Sequence, residues 1–110
     1  MLSIDALALH QSITAGEPLL LIDVRQPEEL AYGTLEGSHS FPLTDIPNRI
    51  DELESLIKND KSNNIIVFCR VGGRSDQVIK LLEIRGSKQL TNLVGGTQKY
   101  SEFDQRILKY

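Results

Sequence analysis

Two short, predominantly apolar runs constrain the fold of this chain more than any other feature. They are Leu19 to Val24 and Ile65 to Cys69. Runs of this length without polar alternation are typical of strands buried on both faces, as in parallel sheets that are covered by helices. A weaker run at 89–94 indicates a third strand, and Phe41 to Leu43 indicates a short fourth one.

Apolar residues recur at helical spacing between these runs, at positions 46, 50, 53, 56 and 57 and again at 78, 79, 81 and 82. Ser3 or Asp5 can cap an earlier helix, and Tyr100 with Phe103 can face inward from a last one. Gly86 stands where the helix that includes 78–82 should end. Strands alternating with helices predict an α/β fold with a parallel sheet, and such sheets bind ligands beyond the carboxyl ends of their strands.

The length of 110 residues predicts a single domain over 1–110. A net charge of −3 argues against nucleic acid or an anionic membrane as a partner. No apolar run is long enough to cross a bilayer, and the first residues lack the basic-then-apolar order of a signal peptide, so we expect a cytoplasmic location. One cysteine excludes an internal disulfide. With only His10 and His39 beside it, we expect no metal site and interpret both histidines as surface residues.

The chemistry is concentrated in the segment Cys69-Arg70-Val71-Gly72-Gly73-Arg74-Ser75, directly after the second apolar run. A tight loop that enters a helix can turn its N–H groups toward one point, and Gly72 and Gly73 permit the positive φ values that this requires. The helix N-terminus and the charges of Arg70 and Arg74 favour the thiolate of Cys69. A buried cysteine that only fills space is the alternative for Cys69 taken alone.

This loop resembles the active loop of the single-domain rhodanese (thiosulfate sulfurtransferase) family, Cys-Arg-x-Gly-x-Arg-Ser or Thr, at every fixed position. Asp23 to Glu29 is similar to the family's Asp-Val-Arg-x-x-x-Glu, and Gly33 to Gly37 is similar to its Gly-His-Ile-x-Gly. Leu93 to Gly96, followed by Tyr100, resembles its Leu-x-Gly-Gly with a downstream aromatic residue. Three positions depart from the pattern, with Thr34, Glu36 and Tyr100 standing where His, Pro and Trp are usual.

The resemblance implies a rhodanese-like α/β fold, with a parallel sheet of about five strands and helices on both faces. It also implies a thiosulfate sulfurtransferase without a cofactor. Cys69 would take sulfur from thiosulfate or a persulfide donor and pass it to cyanide, a small thiol or a protein thiol. The loop amides from Val71 to Ser75, including Gly72 and Gly73, would hold the transferred sulfur. Arg70 and Arg74 would attract the donor, and Asp23 and Arg25 would position the loop or line the site.

Two other functions remain open at this point. Cysteine phosphatases and arsenate reductases also place a thiolate and an arginine in a strand–loop–helix cradle. The phosphatase signature has five residues between cysteine and arginine, whereas Cys69 and Arg74 enclose four. The second alternative is a non-enzymatic module, or one that relays sulfur between a desulfurase persulfide and a protein acceptor. The presence of the cysteine and both arginines argues against an inert module but leaves a relay open.

Overall fold

The computed structural model covers residues 1–110 and has an α/β architecture. In chain order the elements are β1 (Leu2–Ile4), α1 (Ala6–Thr14), β2 (Leu20–Asp23), β3 (His39–Ser40), α2 (Ile46–Asn59), β4 (Ile65–Phe68), α3 (Gly73–Ile84), β5 (Thr91–Leu93) and α4 (Gly96–Tyr100). The five strands form one sheet in the order β1-β5-β4-β2-β3, and every neighbouring pair is parallel. The predicted parallel α/β sheet of about five strands is therefore confirmed.

The centre of the sheet is formed by the two apolar runs. Strands β2 and β4 pair over four residues, from Leu20 opposite Ile65 to Asp23 opposite Phe68, and all eight residues are buried. Because every side chain in these strands meets a covered face, neither run alternates with polar residues. This pairing also brings the ends of the two strands together, so that Cys69 follows β4 beside the end of β2.

The two edge strands differ from the sequence prediction. The strand expected at 41–43 is instead His39–Ser40, and Phe41 packs into the core. Pro42 has no N–H to donate to a sheet, and Leu43–Asp45 forms a turn of 3₁₀ helix. On the opposite edge, β1 was not expected, because its residues are largely exposed and form no apolar run.

Helices cover both faces of the sheet and divide the core into two clusters. Helices α2 and α3 pack on one face, and α1 and α4 pack on the other. Asp5 caps α1 by accepting a hydrogen bond from the Ala8 N–H at 2.8 Å, and Gly86 follows the end of α3 at φ +90°, as expected. No helix is long and apolar enough to span a membrane.

The aromatic residues near α4 follow the prediction only in part. Tyr100 is buried, as expected, but the expectation that Phe103 faces inward is wrong, because 36% of it is exposed. Phe103 stacks instead on His10, with ring centroids 5.4 Å apart. His39 is exposed on the edge strand β3.

Candidate active site

The loop from Cys69 to Ser75, hereafter the cysteine loop, links the carboxyl end of β4 to the start of α3. Gly72 stands at the helix cap with φ +113° and ψ −11°, a conformation that favours glycine. The expectation that Gly73 also needs a positive φ is wrong, because Gly73 is already the first residue of α3 and only Gly72 has a positive φ in this loop. A single left-handed residue is therefore enough to curl the loop.

The sulfur of Cys69 lies inside this curl. Its residue is 1% exposed, and its Sγ accepts a hydrogen bond from the Gly72 N–H at 3.1 Å. The Ser75 hydroxyl oxygen lies 3.4 Å from the same sulfur. The loop thus places both a main-chain donor and a hydroxyl group against the sulfur.

These donors favour the thiolate of Cys69. Burial is the largest single influence on the pKa of the thiol and raises it, because the charged form is poorly solvated inside the protein. Hydrogen bonds from the Ser75 hydroxyl, and then from the N–H groups of Ser75, Gly72 and Val71, lower the pKa. The donors together outweigh burial, so the pKa of Cys69 lies below its ordinary value.

Asn92 supports the cysteine loop from β5 and was missed at the sequence level. Its Oδ1 lies 2.6 Å from the Ser75 hydroxyl oxygen, and its Nδ2 donates to the Gly72 carbonyl at 3.2 Å. The Ser75 hydroxyl has one proton and three possible acceptors for it. They are Asn92 Oδ1, the Gly72 carbonyl oxygen and the Cys69 sulfur. The signal was an amide side chain inside a strand that is buried along its length, since a buried amide needs hydrogen-bond partners.

The Gly-Gly pair at the start of α4 allows main chain to pack directly on the cysteine loop. The Thr97 N–H donates to the Cys69 carbonyl at 2.9 Å, and the Gln98 N–H donates to the Arg70 carbonyl at 3.0 Å. A Cβ atom on Gly96 would lie 2.3 Å from the Cys69 carbonyl oxygen, and Gly96 also has a φ of +54°. No larger residue fits between α4 and the loop at Gly96.

Arg74 is held by Glu29 in a two-bond ion pair. Both guanidinium Nη atoms donate to the carboxylate, the Nη2 atom to Oε2 at 2.9 Å. The hydrogen bonds from Arg74 lower the pKa of Glu29 to about 2, and the pKa of Arg74 is raised in turn. Glu29 closes the segment that resembles Asp-Val-Arg-x-x-x-Glu, but its partner 45 residues away could not be identified from the sequence.

Arg70 has a different partner from Arg74. Its Nε donates to the main-chain oxygen of Tyr110 at 2.5 Å, and its guanidinium lies over the Tyr110 ring, 5.1 Å from the centroid. The hydrogen bonds that lower the pKa of Cys69 come from the loop and Ser75 rather than from either arginine. The expected direct contribution of Arg70 to the thiolate is therefore replaced by the loop donors.

Asp23 and Arg25 form a buried ion pair beside the cysteine loop. Arg25 Nη2 lies 2.8 Å from Asp23 Oδ2, and the two side chains are 0% and 1% exposed. Arg25 also donates to the Gly33 carbonyl and to the Tyr110 phenol oxygen, and Thr34 donates to Asp23. None of these side-chain bonds reaches the cysteine loop. The ion pair is linked to Tyr110 and Glu29, and the main chain of β2 pairs with Phe68, directly before Cys69.

These charged side chains are linked to one another by hydrogen bonds. Tyr110 donates through its phenol to Glu29 at 2.6 Å and accepts from Arg25 at 3.1 Å, so it joins the two ion pairs. We refer to the set as the charged network. Its members are Asp23, Arg25, Glu29, Arg74 and Tyr110.

A family model described as Rhodanese-like domain matches residues 5–103. A sulfurtransferase of Allochromatium vinosum is 33% identical over 93 residues, which cover 84% of this chain and 81% of that protein. YtwF of Bacillus subtilis is 38% identical over 93 residues and covers 84% of each chain. The chloroplastic rhodanese-like/PpiC domain-containing protein 12 of Arabidopsis thaliana is 40% identical over 81 residues. That match covers 74% of this chain, which spans only 26% of the plant protein.

A solved structure has the same architecture. The crystal structure of a rhodanese-related protein from Thermoplasma volcanium superposes with a TM-score of 0.76 at 28% sequence identity, and 94% of each chain is covered. The residues matched by the family model include the entire cysteine loop and Glu29, whereas Tyr110 lies outside them.

Proposed function

This chain belongs to the rhodanese-like domain family, and from that membership we propose that it transfers sulfur through a persulfide on Cys69. The observation that carries the proposal is the position of the Cys69 sulfur. It is buried within a loop whose main-chain and hydroxyl donors lower its pKa. A thiolate held in this way is a nucleophile that needs no separate general base.

The first half-reaction forms the persulfide. The Cys69 thiolate attacks the outer, sulfane sulfur of thiosulfate, and the sulfur–sulfur bond of the donor breaks. The electron pair of that bond leaves with sulfite, so no oxidant and no proton are required. Cys69 then carries a terminal sulfur with a negative charge, which the donors of the cysteine loop stabilise.

The second half-reaction returns the enzyme to its starting state. A nucleophilic acceptor, cyanide or a thiolate, attacks the terminal sulfur and breaks its bond to Cys69. The products are thiocyanate or a new persulfide, together with the free Cys69 thiolate. A protein persulfide serves as donor by the same steps, with a thiolate leaving in place of sulfite, and this is how a relay within a sulfur-trafficking system would operate.

Mass analysis of the intact protein tests this proposal directly. After incubation with thiosulfate and removal of the excess, we expect wild type to gain the mass of one sulfur atom. Because Cys69 is the only cysteine, Cys69→Ser should gain none, and addition of cyanide should return wild type to its original mass. The absence of any gain from thiosulfate and from a small persulfide would contradict sulfur carriage.

The rival phosphatase activity is separated by its own substrate. Four residues lie between Cys69 and Arg74, and this loop suits a single sulfur atom better than a tetrahedral phosphate. We expect no Cys69-dependent hydrolysis of an aryl phosphate, and sustained turnover that Cys69→Ser abolishes would favour the phosphatase.

A cytoplasmic location stays a prediction, which imaging of the tagged full-length protein would check.

A further inference from the structure

The segment 104–110 packs beside the cysteine loop and lies outside the part of the chain that the family model matches. The Leu108 N–H donates to the Tyr32 carbonyl at 2.7 Å, and the Tyr110 ring stacks on the Tyr32 ring with centroids 4.2 Å apart. A Cβ atom on Gly33 would lie 2.2 Å from the Arg106 carbonyl oxygen, so main chain meets main chain along this contact. These contacts fix the place of Tyr110.

Tyr110 meets the site at two points. Its phenol lies between Glu29 and Arg25, at 2.6 and 3.1 Å. Its main-chain oxygen accepts from Arg70 Nε at 2.5 Å, while its ring lies beneath the Arg70 guanidinium. The phenol and the stacked ring hold the residue in place, and the main-chain oxygen and the ring face occupy Arg70.

Both cations of the cysteine loop therefore already have partners within the chain. Arg74 is paired with Glu29 and Arg70 with Tyr110. A dianion such as thiosulfate depends on cationic side chains for its binding, and it competes with these partners for the two guanidinium groups. Tyr110 is the easier one to displace, because it holds Arg70 through one hydrogen bond to Nε and a ring face, whereas Glu29 holds Arg74 through two hydrogen bonds.

We propose that Tyr110 is a specificity-determining residue of the persulfide site, an inference that rests on the proposed function. By occupying Arg70, it weakens binding of small dianionic donors. A persulfide of a neutral thiol carries one negative charge and depends less on Arg70. The chain thereby favours donors of the thiol-persulfide class over thiosulfate.

The first experiment compares wild type with Tyr110→Ala on two donors, thiosulfate and the persulfide of 2-mercaptoethanol, with cyanide as acceptor. Because Tyr110→Ala removes the phenol and the ring that hold its main-chain oxygen against Arg70, we expect the KM for thiosulfate to fall about 3- to 10-fold, with kcat changed by less than about twofold. The kcat/KM for 2-mercaptoethanol persulfide should stay within about twofold of wild type. An unchanged or higher KM for thiosulfate would overturn the inference.

A double-mutant cycle attributes the effect to Arg70. In an Arg70→Ala background, Tyr110→Ala should no longer lower the KM for thiosulfate, since the guanidinium that Tyr110 occupies is already absent. A persisting decrease would show that Tyr110 acts in another way and would overturn the inference. Leu108→Ala is the matched control, because it removes an exposed side chain from the same segment and leaves its main-chain bond in place. If Tyr110→Ala does not fold, Tyr110→Phe keeps the ring and tests the phenol anchor, with a smaller decrease expected.

A binding measurement separates this inference from the proposed function. In a Cys69→Ser background no sulfur can be transferred, and the affinity for sulfate, an unreactive dianion, is measured by calorimetry with and without Tyr110→Ala. We expect sulfate to bind about 3- to 10-fold more tightly when Tyr110 is absent. Equal affinities would overturn the inference, whereas failure of sulfur carriage would appear only as the missing mass gain in wild type.

Discussion

Two regions flank Cys69, and they use different kinds of hydrogen-bond donor. The cysteine loop holds the sulfur with neutral groups, the Gly72 N–H and the Ser75 hydroxyl. The charged network beside it holds four ionised side chains and one phenol, which mostly bond to one another. The difference teaches that a cation beside a thiolate need not bond to it, since Arg74 is coupled to Cys69 by charge while its hydrogen bonds go to Glu29. The loop sets the pKa of the proposed nucleophile, and the charged network sets which anions can approach.

Gly96→Ala should have the largest effect, because it disturbs the neutral region directly. The new Cβ would lie 2.3 Å from the Cys69 carbonyl oxygen, so the loop or α4 must shift. We expect at least ~100-fold loss of sulfurtransferase kcat/KM and a fall of about 2 to 4 kcal/mol in the free energy of unfolding. Steady-state kinetics and urea denaturation measure the two effects.

The matched control for this variant is Gly16→Ala. Gly16 has φ +74° and no atom within 4 Å of its Cβ position, so it shares the backbone strain without the clash. We expect it to lose about 1 kcal/mol of stability and to keep its activity. Equal losses of activity in the two variants would mean that close packing on the cysteine loop is unimportant.

Arg74→Ala should cause the next largest loss of activity. It removes the cation of the charged network that is closest in sequence to Cys69. The ion pair that braces the start of α3 against Glu29 disappears, and we expect kcat/KM with thiosulfate to fall about 10- to 100-fold. Arg70→Lys keeps a charge at the neighbouring position and should cost less than about fivefold. Equal kinetics for the two variants would contradict the division of roles between these arginines.

Ser75→Ala tests whether a neutral hydroxyl controls the thiolate. Because the Ser75 hydroxyl lowers the pKa of Cys69, its removal should raise that pKa and shift the rising limb of the activity profile to higher pH. At neutral pH we expect about a 10-fold lower rate, and at high pH most of it should return. Titration of the thiolate by ultraviolet absorbance follows the same change. A profile that is lower but not shifted would assign Ser75 to folding instead.

Glu29→Gln should change turnover the least of these variants, and it reports on the stability that the charged network adds to the fold. The pKa of Glu29 is lowered to about 2 in the folded protein, so its ion pair stabilises the fold above the ordinary carboxyl pKa near 4.5. That stabilisation is lost as the pH falls through about 2. Urea denaturation should therefore show a steeper loss of stability on acidification for wild type than for Glu29→Gln.

The neighbouring variant Glu28→Gln removes an exposed carboxylate from the same turn and controls for the change in net charge. Identical acid sensitivity of wild type and Glu29→Gln would show that the ion pair with Arg74 does not contribute to the stability of the fold.

The sequence predicted the central strands and the cysteine loop because both depend on local pattern. A continuous run of mainly apolar residues follows from burial on two faces, and Cys69, Gly72 and Ser75 lie within a segment of seven residues. The edge strand β1 was not predicted and β3 was predicted at 41–43 instead of His39–Ser40, since short edge strands have no strong apolar pattern.

Partners far apart in the chain could not be predicted in the same way. Tyr110 lies 81 residues from Glu29 and 40 from Arg70, and only the folded main chain brings them together. The sequence placed both arginines near the sulfur, but it could not reveal that each already has a partner. Asn92 was accessible in principle, as a buried polar residue on a strand, whereas its contact with Ser75 required the sheet order.

The single buried cysteine also determines how this protein responds to oxidation. A sulfenic acid formed on Cys69 has no second thiol in the chain with which to form a disulfide, so only an external thiol can reduce it. That thiol must reach the same sulfur atom that a sulfur acceptor attacks, on a residue that is only 1% exposed. Reduction of the sulfenic acid and sulfur transfer therefore require the same access to the Cys69 sulfur. A variant that narrows this access should turn over more slowly and should also recover more slowly from peroxide when a thiol is added.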